Sequence, residues 1–225
     1  MNATDELREV VARLRRDCPW DRAQTPRSMR PYLLEECHEV LGALDEHDDA
    51  RQREELGDLL FQVYFLARLA EERGAFDIEA VAQAIVDKMV SRHPHVYGGT
   101  DEARPEAASD PGSIAAWEGR KARPGRSRVD GVPASLPALA RAHRVAEKVA
   151  AVGFDWPSMD GVIEKIDEER GELAEAIAGG DPERVAAEYG DLLLATANLG
   201  RFLGVSAEDA LRQANARFER RFRGV

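Results

Sequence analysis

The chain has 225 residues, with 42 acidic side chains against 31 lysines and arginines and a net charge of −11. That balance speaks against a nucleic-acid binder, which needs a basic footprint, but it leaves nucleotides open, because a divalent cation can carry the attraction. The length suffices for one large core or two small ones, and no apolar run approaches the ~20 residues of a membrane span.

The periodicity is helical nearly throughout, which predicts an all-α fold without strands. The charged start, Met1 to Arg16, lacks the apolar stretch of a secretory signal, and Val10, Val11 and Leu14 begin an amphipathic stripe. Cys18 and Cys37 show neither CxxC nor zinc spacing and read as buried or free thiols in a reducing cytoplasm. Pro19 marks a turn. A first acidic helix is expected over Arg30–Leu44 and a second over Arg51–Arg73. After a turn at Gly74, a third helix begins at Ile78, capped by Asp77. From Gly98 to about Pro133 the composition shifts to Gly, Pro, Ser and charge, with one short helix predicted around Ile114–Lys121. Beyond it come acidic helices over Val162–Ala178 and Pro182–Leu203, separated by Gly179-Gly180-Asp181-Pro182. After Gly204 a last helix starts at Ala207, capped by Ser206, with Asp209 at its third position. This organisation predicts a helical domain over 1–125, a linker over 126–135 and a second helical domain over 136–225. Short connections favour antiparallel neighbours in each.

The two halves repeat. Glu35-Glu36-Cys37-His38-Glu39 followed by Glu55-Leu56-Gly57-Asp58 recurs as Glu168-Glu169-Arg170-Gly171-Glu172 followed by Glu188-Tyr189-Gly190-Asp191, at a constant offset of 133 residues. The same offset pairs Arg51 with Arg184, Leu44 with Ile177, and Leu59-Leu60 with Leu192-Leu193. Acids, glycines and apolar stripe keep one phase, as a tandem duplication would.

Side chains three apart on a helix point the same way, one turn apart. Glu36 and Glu39 therefore share a face, as do Glu55 and Asp58, and the 15 residues between Glu39 and Glu55 suffice to finish one helix, turn and start another alongside. Converging carboxylates of this kind are hard oxygen ligands suited to Mg²⁺, or to Mn²⁺ in its place. The competing reading is a solvated acidic face, common for a single ExxE. Gly57 and Gly190 sit mid-helix, where glycine costs ~1 kcal/mol against alanine, and suggest close helix approach or a ligand against the backbone. Glu35-x-x-His38 also spells half of a di-iron motif. The second copy has Gly171 in place of His38, so His38 reads as an ordinary helix residue.

With both acidic helices in view, the chain resembles the MazG nucleoside triphosphate pyrophosphohydrolases of the all-α NTP pyrophosphohydrolase superfamily. The resemblance also rests on Cys18-Pro19-Trp20-Asp21, on Glu54 to Gln62, on Arg92-His93-Pro94-His95-Val96 and on Ser135 to Leu139. Gly153-Phe154-Asp155-Trp156 and Phe218 to Phe222 complete it. It implies hydrolysis of a nucleoside triphosphate to the monophosphate and pyrophosphate, magnesium dependence, dimers of helical bundles and a role in clearing nucleotides. The family's metal-binding acids fall on Glu36, Glu39, Glu55 and Asp58, and on Glu169, Glu172, Glu188 and Asp191. Its basic phosphate contacts match Lys88 and Arg92 in the first half and Arg217 and Arg221 in the second. Its Trp-x-x-x-Lys pair, which closes over the nucleotide, matches Trp117 and Lys121. Lys165 matches a further nucleotide contact, where the first half has Tyr32.

Full-length members continue past Phe222 with a second Trp-x-x-x-Lys, and this chain stops at Val225. That departure implies a second site that keeps its metal but holds nucleotide poorly unless another subunit helps. In such an enzyme water attacks the α-phosphorus, and catalysis is mostly positioning and charge neutralisation. Glu35, or an acid of the set left unliganded, is the expected proton acceptor, with Arg51 and Lys121 as helpers on the leaving pyrophosphate and Arg184, the counterpart of Arg51, among the phosphate-binding residues. Trp20, Trp117 and Trp156 are candidates for stacking on a base, against the plainer reading of core residues. The alternative from another class is a non-catalytic helical assembly module whose acid clusters are remnants.

Overall fold

The computed structural model describes residues 2–97, 125 and 127–224, and every regular element in them is helical. The short helix expected at Ile114–Lys121, with Trp117 and Lys121, lies outside the described residues, as do Arg120, Arg123 and Arg126. The chain forms two compact units, Met1–Gly98 and Gly99–Val225.

The first unit contains α1 (Ala3–Asp17), α2 (Pro19–Ala23), α3 (Arg30–Glu46), α4 (Asp49–Glu71), α5 (Ile78–Arg92) and α6 (Pro94–Tyr97). Pro19, expected at a turn, instead occupies the first position of α2, where its missing N–H costs nothing. The α3–α4 hairpin is set by two residues. His47 ends α3 in the left-handed conformation (φ 54°), and Asp48 accepts hydrogen bonds from the Ala50 and Arg51 amides at 2.9 and 3.2 Å. An aspartate cap of this kind contributes roughly 1 kcal/mol. Capped by Asp48, α4 begins at Asp49, two residues before the expected Arg51. The helices then run antiparallel, since the Gln52 side chain reaches Ala43 O while Gln62 reaches Glu36. Val11, Met29, Phe65 and Leu69 form the core, flanked by Leu7, Phe61, Tyr64 and Leu66. Each of the four buried side chains contributes about 1.5–3 kcal/mol of transfer free energy.

Arg15 locks the loop after α1. Its guanidinium pairs with both Glu72 oxygens at 3.0 and 2.6 Å, donates to the carbonyls of Asp21 and Gln24, and lies 5.6 Å from the Phe65 ring.

The second unit contains a 3₁₀ turn (Arg128–Gly131), α7 (Ala138–Ala150), α8 (Met159–Gly179), α9 (Pro182–Phe202) and α10 (Ala207–Arg223). Its hairpin copies the first: Gly180 is left-handed (φ 69°) where His47 stood, and Asp181 caps α9 through the Glu183 and Arg184 amides. The chain turns tightly after α9, and Gly200 in the last turn of that helix makes room for it. A Cβ there would lie 2.7 Å from Val205 O, so only glycine lets the α9–α10 connection close. Asp77 and Ser206 cap α5 and α10 through the Ala80 and Asp209 amides, as expected. The helix α7 has no counterpart in the sequence reading, although Leu139, Ala142, Val145 and Val149 mark one face at helical spacing.

Candidate active site

The hairpins bring the repeated acids together. Glu36 and Glu39 from α3 and Glu55 from α4 each offer a carboxylate oxygen within 4.8 Å of the others. In the second unit Glu169 and Glu172 from α8 meet Glu188 from α9 within the same limit. The triads stand at the 133-residue offset found in the sequence. Asp58 and Asp191 are exposed and stand outside them, but Asp58 is near enough to Glu36 to push its proton affinity up. Glu35 is exposed, one residue off the triad's face. His38 is exposed as well, and neither triad contains a histidine.

Like charges held this close resist ionisation. Burial pushes the Glu36 pKa above the usual carboxylate value, and the charges of Asp58 and Glu39 add to it, while a hydrogen bond from Gln62 works against the rise. Glu172 is likewise raised, by burial and then by Glu188 and Glu169. Each cluster has one arginine on its edge: Arg51 Nε reaches Glu55 at 3.2 Å, and Arg184 Nε reaches Glu188 at 3.5 Å.

Two neighbours went unassigned in the sequence reading or were given another role. Gln62 is buried, and its Nε2 donates to Glu36 Oε1 at 3.3 Å while its own Oε1 has no partner. Its place seven residues after Glu55, on the same helix face, was the available signal. Lys165, expected to touch nucleotide, has its Nζ 2.8 Å from Glu169 and 3.0 Å from Glu168. Lys88, Arg217 and Arg221 are exposed on α5 and α10, and Arg92 is half-buried. Trp20 and Trp156 are not core residues. Trp20 is half exposed and meets Tyr32 edge to face at 5.7 Å, and the partly exposed Trp156 ring lies against Gly161.

The two mid-helix glycines correct an expectation. A Cβ at Gly57 or Gly190 would meet nothing within 4 Å, so close helix approach does not require them.

The donor set fits a hard divalent cation: carboxylate oxygens only, on two rigid helices, with room for several in one coordination sphere. The buried Glu169 also has an oxygen, Oε2, without any hydrogen-bond partner. Such an orphan is costly unless a ligand meets it.

Comparison with known proteins follows the same duplication. The chain matches the MazG nucleotide pyrophosphohydrolase domain twice, over residues 24–97 and 158–225. It belongs to the MazG family. It is 44% identical over 226 residues to the nucleoside triphosphate pyrophosphohydrolase/pyrophosphatase MazG of Thermotoga maritima, covering 97% of this chain and 84% of that protein. Against the nucleoside triphosphate pyrophosphohydrolase of Escherichia coli K12 the identity is 45% over 237 residues, covering 100% and 88%. The Mycobacterium tuberculosis nucleoside triphosphate pyrophosphohydrolase is 39% identical over 149 residues, 64% of this chain and 44% of that protein. Both MazG matches contain one hairpin with its acid triad.

Proposed function

We propose that this MazG protein is a Mg²⁺-dependent nucleoside triphosphate pyrophosphohydrolase, converting an NTP or dNTP and water to the monophosphate and pyrophosphate and so clearing unwanted nucleotides. The observation that carries the reading is the pair of carboxylate triads, each with its oxygens within 4.8 Å, repeated at one offset inside both MazG matches. Catalysis is assigned to the first unit. Glu36, Glu39, Glu55 and Asp58 would hold the cation there, and Glu169, Glu172, Glu188 and Asp191 would hold one in the second. A divalent ion so held supplies charge neutralisation at phosphate oxygens and lowers the pKa of a water molecule.

The chain's own residues do the rest. Water attacks the α-phosphorus, the bond to the bridging oxygen of the leaving pyrophosphate breaks, and the water's proton passes to Glu35 or another unengaged acid of the set. Lys88 and Arg92, one turn apart on α5, would neutralise the charge of the pyrophosphate, as Arg217 and Arg221 would on α10, with Arg51 and Arg184, on the edges of the acid clusters, as helpers. Trp117 and Lys121, which lie outside the described residues, match the family's nucleotide-contacting pair and are taken with the first domain to residue 125.

The working form is a homodimer or a higher homo-oligomer. In α5 no residue is buried, and Ile85, Val86 and Val90 stand exposed on it, as do Leu56 and Leu60 on α4. Exposed apolar side chains on these helices favour association, and the second occupant is another copy of the chain, as the family resemblance implies. Light scattering on the purified chain reads this directly, and a monomer at micromolar concentration would refute it.

Pyrophosphate release from each common NTP and dNTP, with and without Mg²⁺, tests the activity. Glu36→Ala with Glu39→Ala should abolish it. Retained activity in that variant, with loss only on Glu169→Ala and Glu172→Ala, would move catalysis to the second unit. Absence of release from every nucleotide would leave the helical assembly module.

A further inference from the structure

The two clusters share a backbone frame and differ in what neutralises it. Position 165 is lysine, one helical turn before Glu169, where the first unit has Tyr32 one turn before Glu36. Tyr32 turns its ring to Trp20, and Glu36 receives a neutral amide from Gln62. The residue matching Gln62 is Ala195, which has no donor to give. Glu169 instead receives an ammonium: Lys165 Nζ lies 2.8 Å from it and 3.0 Å from Glu168. The second Glu169 oxygen is buried and unpartnered. A formal cation thus already engages the most buried acid of the second triad, which nevertheless keeps one oxygen unmet.

A divalent ion drawn to Glu169, Glu172 and Glu188 must settle beside that ammonium or displace it. Lysine is a compact point charge on a flexible stem, and the Lys165 side chain remains about one-third exposed, so it can leave once another anion offers itself. A polyphosphate is such an anion. Resting on the reading above, that the triads hold a divalent cation and the substrate is a triphosphate, we propose that Lys165 is the resident counter-ion of the second cluster. It releases Glu169 only when a nucleotide's phosphates take the ammonium. The second unit therefore loads its cation together with nucleotide, and by linkage each ligand tightens the other.

The test uses the full chain with the first cluster disabled by Glu36→Gln and Glu39→Gln, and Mn²⁺ as the probe, counted by the paramagnetic resonance of the free ion. Lys165→Met should tighten Mn²⁺ binding in the absence of nucleotide by about fivefold or more, the lower end of ordinary coupling. Lys165→Arg, which keeps the charge, should leave it weak. Equilibrium dialysis of a deoxynucleoside α,β-imidotriphosphate supplies the second readout. Saturating Mn²⁺ should tighten its binding more than about tenfold with Lys165 present and less than about threefold in Lys165→Met. Unchanged Mn²⁺ affinity in Lys165→Met, with binding plainly measurable, overturns the counter-ion role and leaves the metal reading standing. Absence of Mn²⁺ binding in all three proteins overturns both.

Discussion

Glu36→Gln should stabilise the metal-free protein and destabilise the metal-loaded one. The substitution keeps the side chain's shape and its acceptor for Gln62, and removes one charge from a triad whose oxygens lie within 4.8 Å. At that separation each like-charge pair costs about 0.9 kcal/mol in water and about 3.5 kcal/mol at an effective dielectric of 20. Glu36 faces two partners, Glu39 and Glu55, so the lower figure already gives nearly ~2 kcal/mol. Arg51 offsets part of this at Glu55, and Glu36 holds its proton more readily than an ordinary carboxylate. The expected gain at neutral pH in EDTA is therefore ~1–2 kcal/mol, about 5 °C or more in Tm for a unit of roughly 100 residues. With Mg²⁺ the order reverses, because a ligand at a hundredfold excess over its Kd stabilises by about 2.7 kcal/mol and the variant has lost a donor. Thermal unfolding followed by far-ultraviolet circular dichroism in both buffers measures the crossing. A lower Tm for Glu36→Gln in EDTA, or equal Mg²⁺ stabilisation of both proteins, would refute the reasoning.

The pH dependence of the metal-free protein should show the same frustration. Glu36 and Glu172 have raised pKa values, from burial first and then like charge, so the folded state binds more protons and stability falls as pH rises through the raised values. Glu72, held low first by its hydrogen bond to Arg15, contributes stability above the ordinary carboxylate pKa that is lost as pH falls through its lowered one. Thermal melts across pH should thus peak on the mildly acidic side in EDTA and shift toward neutrality in Mg²⁺. Arg15→Ala should cost about 3 kcal/mol in urea unfolding, because Glu72 and two carbonyls lose a charged donor. Gly57→Ala and Gly190→Ala should each raise stability by up to ~1 kcal/mol of helix propensity, since a Cβ there meets nothing within 4 Å. Gly200→Ala should lower stability by about 1–3 kcal/mol, because the new Cβ meets a backbone oxygen, and thermal unfolding reads each change as a shift in Tm.

What was legible in the sequence was whatever local chemistry fixes. Periodicity gave the all-α class, Asp77 and Ser206 announced their helices, and the spacing of Glu36, Glu39 and Glu55 was enough to foresee their meeting. Other features depend on tertiary placement. The left-handed His47 carries no sequence signal comparable to Gly180, because a non-glycine residue takes that conformation only when the hairpin holds it there. The partners of Glu36 and Glu169 differ in legibility. Lys165 stands four residues before Glu169 on one helix, a spacing that brings the two side chains together, whereas whether Gln62 touches an acid of the neighbouring helix depends on helix rotation, which periodicity alone does not give. Gly57 and Gly190 misled as to close helix approach, because their cost was visible and their surroundings were not.

Divergence between the two units falls where the frame permits it. His47 and Gly180 turn the hairpin in the same left-handed conformation with different side chains, while the capping aspartate is kept as Asp48 and Asp181. Arg51 and Arg184 bridge back to the same acid one turn along α4 and α9, and that contact too is kept. Positions 32/165 and 62/195 carry no turn or cap, and they differ in what they give the acids: Gln62 gives Glu36 a neutral amide and Lys165 gives Glu169 an ammonium. A duplicated helical hairpin can therefore hold its carboxylates in one geometry while changing their electrostatics through two side chains. Exchanging those residues between the units should transfer cation affinity without moving a helix.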